Sequence, residues 1–179
     1  ATSNCYDGRD RIFIMGGAVS VSQVYWPTDV GTVYANAWEL YPVKPWETGY
    51  RIPVGEDLYA NNAAEYADFD CVYVLVTAWQ DDTTVIFDNT RLSEPASTAC
   101  GYNWWQDGTV VLDRGQTYFR GGVFSGSTIE ADHPTEVQMI VGREDTNYDS
   151  RSHTLVPTGE WDDEYFSPVT SYGTQRSPV

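Results

Sequence analysis

The sequence predicts an all-β fold: a β-sandwich built from short antiparallel strands and hairpins. Apolar and polar residues alternate with a period of two along much of the chain, the pattern of half-buried strands. Val and Thr are abundant, Leu is scarce, and there are 13 Tyr and 7 Trp, side chains that suit a pleated surface. Turn signals recur roughly every 8–12 residues, as in sandwiches and barrels.

In chain order, "RIFIM" (11–15) and "AVSVSQVYW" (18–26) alternate on either side of Gly16-Gly17. "GTVYANAWELY" (31–41) alternates again and runs into a Pro-rich stretch. "LYANNAAEYADF" (58–69) is the one helix candidate. It lacks a 3.6-residue apolar stripe and carries two Asn, so it reads as a long loop with at most one helical turn. "CVYVLVTAW" (71–79) and "TTVIFDN" (83–89) form a hairpin over Gln80-Asp81-Asp82. "GTVVL" (108–112) and "TYFRG" (117–121) flank Asp113-Arg114-Gly115-Gln116, and "STIEA" (127–131) and "TEVQMIVG" (135–142) flank "DHP".

The chain also repeats itself. "LYPVKPWETGYRIPV" (40–54) returns as "LVPTGEWDDEYFSPV" (155–169), matching at Leu40/Leu155, Pro42/Pro157, Trp46/Trp161, Tyr50/Tyr165, Pro53/Pro168 and Val54/Val169 without a gap. Each proline fixes φ and withholds an N–H, so the motif should run extended along a sheet edge or across the end of the sandwich. Its Trp and Tyr should close the end of the core. The expected organisation is one sandwich-like domain over 1–179, with a partial second repeat unit from about residue 135 to 179.

Charge narrows the function classes. The formal net charge is −16, from 26 acidic and 10 basic residues, and Lys44 is the single lysine. Such a surface repels nucleic acid and anionic membranes. The longest apolar run is too short to cross a bilayer, and "ATSNCYDG" is the kind of start left by cleavage of a secretory signal. Cys5, Cys71 and Cys100 show no zinc spacing. If a disulfide forms, Cys71 and Cys100 are the expected pair. One opens a strand and the other ends the loop leaving that strand's hairpin partner, with Cys5 as the odd thiol.

Part of the chain resembles a known family. "YVLVTAWQDDTTVIF", "LDRGQTYF", "GSTIEADHPTEVQMIVG" and "LVPTGEWDDEYFSPV" are similar to the N-terminal-type domain of immunoglobulin-Fc-binding proteins, found in large microbial surface proteins. The positions that carry the likeness are Asp82, Thr83, Thr84 and Val85; Gly115 and Tyr118; Gly126, Ile129, Ala131, Asp132 and Pro134; and Pro157, Trp161 and Tyr165. The resemblance covers roughly residues 70–170. It implies an extracellular, repeat-capable β module for display or adhesion.

The expectation is therefore a non-enzymatic extracellular module that associates with copies of itself or with neighbouring surface-protein domains. Trp161, Tyr165 and Pro168 are the expected interface, because the second motif copy has no later hairpins to cover it. No cofactor is required. Calcium is the candidate ion, for which Glu144, Asp145, Asp149, Asp162, Asp163 and Glu164 offer hard oxygen ligands in loops. One rival reading is a carbohydrate-binding module that stacks glycans on Tyr102, Trp104 and Trp105. A second is a polysaccharide hydrolase using the carboxylates of Glu160, Asp162, Asp163 and Glu164.

Overall fold

The computed structural model describes residues 5–7, 12, 14–25, 36–45, 47–57, 71–88, 108–142 and 151–164. Eleven strands run through them: β1 (Cys5–Asp7), β2 (Val21–Tyr25), β3 (Asn36–Leu40), β4 (Gly49–Arg51), β5 (Val72–Ala78), β6 (Thr83–Asp88), β7 (Gly108–Leu112), β8 (Gln116–Gly121), β9 (Thr128–Ala131), β10 (Thr135–Val141) and β11 (Arg151–Thr154). A five-stranded sheet is ordered β1-β8-β5-β10-β11 and a four-stranded sheet β4-β9-β6-β7, while β2 and β3 make a separate pair. Every pairing is antiparallel. The predicted all-β sandwich is what the chain forms.

Alternation explains the core. In β5 and β10 every second residue is buried, and the register sets Val76 opposite Val137, Val74 opposite Met139 and Val72 opposite Val141. The second sheet answers with Val85 and Phe87 from β6, Ile129 from β9, Leu112 from β7 and Tyr50 from β4, all buried in the same cluster. Burying each such side chain contributes about 1.5–3 kcal/mol.

Several positions shared with the family motifs turn out to be turn chemistry. Asp82 sits at φ 57° and Gly115 at φ 80°, in the β5–β6 and β7–β8 turns, each of which carries the chain from one sheet to the other. The turns are tied together where Asp81 Oδ1 accepts the Arg114 amide at 3.0 Å. The Thr83 hydroxyl donates to the Gln80 carbonyl at 2.8 Å. Asp132 Oδ1 accepts the Thr84 amide at 2.8 Å, stitching the β9–β10 turn to β6. Gly55 allows a close approach: a Cβ there would stand 2.4 Å from backbone atoms of Phe124 and Ser125. That approach lets Ile52 and Glu56 donate their amides to Ser127 and Val123 at 2.9 and 2.8 Å.

The strands expected from residue 71 to 89 and from 108 to 142 appear within a residue or two of their predicted bounds. Two readings do not hold. Ile12, Ile14 and Met15 alternate in sequence but lie exposed and outside any strand, because a ladder needs a partner as well as a pattern. The expected hairpin between 71–79 and 83–89 does not form: β5 pairs with β8 and β10, β6 pairs with β7 and β9, and the turn over Gln80-Asp81-Asp82 crosses between the two sheets. The 58–69 segment lies outside the described residues.

A hairpin precedes each copy of the sequence motif: β2–β3 leads into the first and β10–β11 into the second. β3 packs beside β11, and the Thr154 hydroxyl donates to the Glu39 carbonyl at 2.7 Å across that junction. Within the first copy, β4 is the edge strand of its sheet, as the flanking prolines imply.

Candidate functional site

The two motif copies lie side by side. Glu39 meets Thr154 just ahead of the two copies, and Lys44 meets Glu160 within them. The Thr158 hydroxyl also reaches the Gly49 carbonyl at 3.2 Å. A groove of about 260 Å³ opens along this seam. Tyr41, Pro42 and Val43 line it from the first copy, and Leu155, Val156 and Pro157 from the second. Leu155 is anchored below by its amide, which donates to the Val137 carbonyl at 2.8 Å. Pro157 is buried and begins a 3₁₀ turn, Thr158–Glu160, that carries Glu160 to the groove wall.

The groove holds an unusual set of charges. Lys44, Glu47, Glu136 and Glu160 all line it, with Tyr50 between them. The Lys44 ammonium pairs with Glu160 across the seam, so the only lysine of the chain joins the two copies. Hydrogen bonding to Glu160 raises its pKa. Glu47 is 6 % exposed; its Oε2 accepts the Lys44 backbone amide at 2.7 Å. Desolvation holds the Glu47 carboxyl above the ordinary range, and the Glu160 charge adds to this. Glu136 is raised in the same way, by burial first and by Glu47 as well, although the Gln138 amide donates to its Oε1 at 3.2 Å. The Tyr50 hydroxyl donates to the Thr135 carbonyl, and burial drives its pKa far up. It is a neutral donor, and no acid–base role follows for it.

At the rim, Tyr41, Val156 and Trp161 are 47, 45 and 49 % exposed. The Trp161 indole N–H donates to the Val156 carbonyl at 3.1 Å, so the ring is held beside the groove. Trp161, in the copy expected to be left uncovered, lies on the surface, while Trp46, expected to close the core end in the first copy, lies outside the described residues. Tyr50, in the first copy, does fill the core.

The remaining candidate residues are scattered. Asp162, Asp163 and Glu164 follow the 3₁₀ turn as exposed residues, with the Asp163 amide donating to Asp162 Oδ1 at 2.8 Å. Among the described residues, no three His, Cys, Asp or Glu side chains are grouped so as to hold a metal ion. Glu144, Asp145 and Asp149, the glycan-platform residues Tyr102, Trp104 and Trp105, and the interface candidates Tyr165 and Pro168 lie outside the described residues. Cys71 is buried at the start of β5 and is disulfide-bonded; Cys100 lies outside the described residues. Sequence reasoning did not select Tyr41, Lys44, Glu47 or Glu136. The available signal was the lone lysine, placed within one motif copy and aligned beside an acidic stretch of the other.

Among the described residues, no helix is long and apolar enough to cross a membrane. No curated protein and no solved structure matches the chain. The model of the IgGFc binding protein family matches residues 36–179, from the first residue of β3 onward, and the chain belongs to that family.

Proposed function

We propose that the chain is an extracellular protein-binding β module, which assembles with copies of itself or with neighbouring domains of a surface structure. The carrying observation is an open strand edge. β10 is paired on both sides, by β5 and β11, whereas β2, at the equivalent place in the first repeat unit, is paired only by β3 among the described residues. Val19 and Val24 stand exposed there. An unpaired edge with apolar side chains is a template for another strand.

Family membership supports a protein partner, since the family's name describes binding to immunoglobulin Fc. The bonded Cys71 supports an oxidising, extracellular setting, and we assign Cys100 as its partner. Trp161, with Tyr165 and Pro168 following it, forms the second contact surface in this reading. A strand edge on one side and an aromatic surface elsewhere make a head-to-tail contact that need not close on itself.

Sedimentation velocity over a concentration series tests the reading. The intact chain is expected to associate as concentration rises. Val24→Lys, which places a charge on the β2 edge, should weaken that association while leaving the monomer folded. A chain that stays monomeric at high concentration, and that captures no neighbouring domain of its own surface structure, would refute it.

A further inference from the structure

The geometry points to the seam groove as a receptor for an arginine side chain, presented by an extended basic segment of a partner protein. This deepens the protein-binding reading by naming the chemistry recognised, and it does not depend on the β2 edge.

Three carboxylates face a single ammonium in the groove, and that ammonium is already committed to Glu160. Glu47 and Glu136 therefore share a half-enclosed space with no second cationic side chain among its lining residues. Glu47 is more than nine-tenths buried, and the hydrogen bond it accepts, from Lys44, reaches only Oε2. Charge that is desolvated and incompletely compensated favours an incoming cation. The burial that lifts both carboxyls acts in the same sense, because a bound cation relieves it.

The walls select the kind of cation. Pro42, Val43, Leu155 and Val156 are apolar, so a bare hydrated metal ion finds few oxygen ligands there, whereas the methylene stem of a long side chain can lie along them. A guanidinium is planar and weakly hydrated, and it can bond two carboxylate oxygens at once, which suits Glu47 and Glu136 better than an ammonium does. Tyr41, half-exposed at the rim, offers a ring face to the same group. A second copy of this chain is a poor source, because its nine arginines are dispersed among 26 acidic residues and make no extended basic segment. The occupant is a basic segment of a different protein.

The test uses the full chain, isotopically labelled, titrated with N-acetyl-arginine methylamide while backbone amide signals are followed by NMR. N-acetyl-citrulline methylamide, which has nearly the same shape without the charge, is the control. The expected result is saturable shifts centred on Lys44, Glu47, Glu136 and Val156 with the arginine probe and none with citrulline. Glu47→Gln combined with Glu136→Gln should weaken binding about tenfold or more. Val156→Lys, on an exposed position that leaves the core intact, should block the groove as effectively. Shifts spread equally over Asp81, Asp82, Asp162 and Asp163 would mean general screening of an acidic surface and would overturn the proposal. So would equal binding of citrulline, or undiminished binding by both variants. Loss of association in Val24→Lys with arginine binding intact would separate this site from the β2 edge.

Discussion

β2 and β10 hold equivalent places in two copies of the same hairpin-plus-motif unit, yet their environments are opposite. Met139 in β10 is 0 % exposed, while Val24, 115 residues earlier at the matching position, is 62 % exposed. Gln23 and Gln138 match in identity as well. Both strands alternate, and both turn back into a second strand. What separates them is the neighbour. β5 pairs with β10 along its full length and carries Val72, Val74 and Val76 into the same core, whereas β2 has no such strand beside it among the described residues. A period-two pattern thus specifies a strand, and the available partner decides whether that strand becomes core or surface.

The comparison is tested most severely by placing a charge at both positions. Met139→Lys buries an uncompensated ammonium in the centre of the sandwich and should abolish folding. Val24→Lys should leave the melting temperature nearly unchanged. Circular dichroism melts of the two proteins decide the matter; comparable losses would mean that β2 is as deeply packed as β10.

The motif copies invite the next test. Tyr50 of the first copy is buried and its hydroxyl is bonded to the Thr135 carbonyl. Trp161 of the second lies at the surface. Tyr50→Ala should cost about 3–5 kcal/mol, and Trp161→Ala within about 0.5 kcal/mol, both measured by urea unfolding. A large loss from Trp161→Ala would mean that it plugs the core as Tyr50 does. Leu155 and Leu40 give a smaller contrast. Leu155 is 7 % exposed and belongs to the core, so Leu155→Ala should cost about 2–4 kcal/mol. Leu40 is only half-buried, and its truncation should cost visibly less.

How much of this was legible beforehand depends on which physical signal each part leaves in the chain. Strands β5 to β10 were readable because long alternation and Asp- or Gly-bearing turns coincide there. β4 and β11 were not: three residues between prolines, and the polar "RSHT", carry no periodic signal of their own. They are strands because a longer neighbour, β9 or β10, offers them an edge. The motif repeat was plain in sequence. Its packing of one copy against the other was not, since the ion pair between Lys44 and Glu160 is 116 residues apart in the chain. Glu47 and Glu136 look like ordinary acidic residues among 26 until the fold brings them into one groove.

The smallest expected effect is a pH dependence that isolates this groove from the exposed acidic turns. Glu47 and Glu136 have carboxyls raised above the ordinary value of 4.5, so just above that pH the folded protein holds protons that the unfolded chain has released. With more protons bound in the native state, stability must fall as pH rises through that interval and recover as pH is lowered toward 4.5. Other groups follow different signs. The Asp132 carboxyl is lowered, chiefly by the Thr84 amide, and costs stability only on acidification below its ordinary value of 3.8. Lys44 is raised and acts only in the alkaline range above 10.5. His153 is lowered by desolvation and works against the glutamates once the pH drops below 6.5. A difference measurement removes it, along with the general repulsion of the acidic surface. Glu47→Gln with Glu136→Gln should melt higher than the parent at pH 7, because two desolvated carboxylates are gone. The gap should close as the pH approaches 4.5, where the parent's own carboxyls are protonated. Thermal melts of both proteins at half-unit steps across that range check it. A gap that is constant with pH, or that widens on acidification, would mean that these two carboxylates are compensated in the fold and that the groove has no unmet demand for a cation.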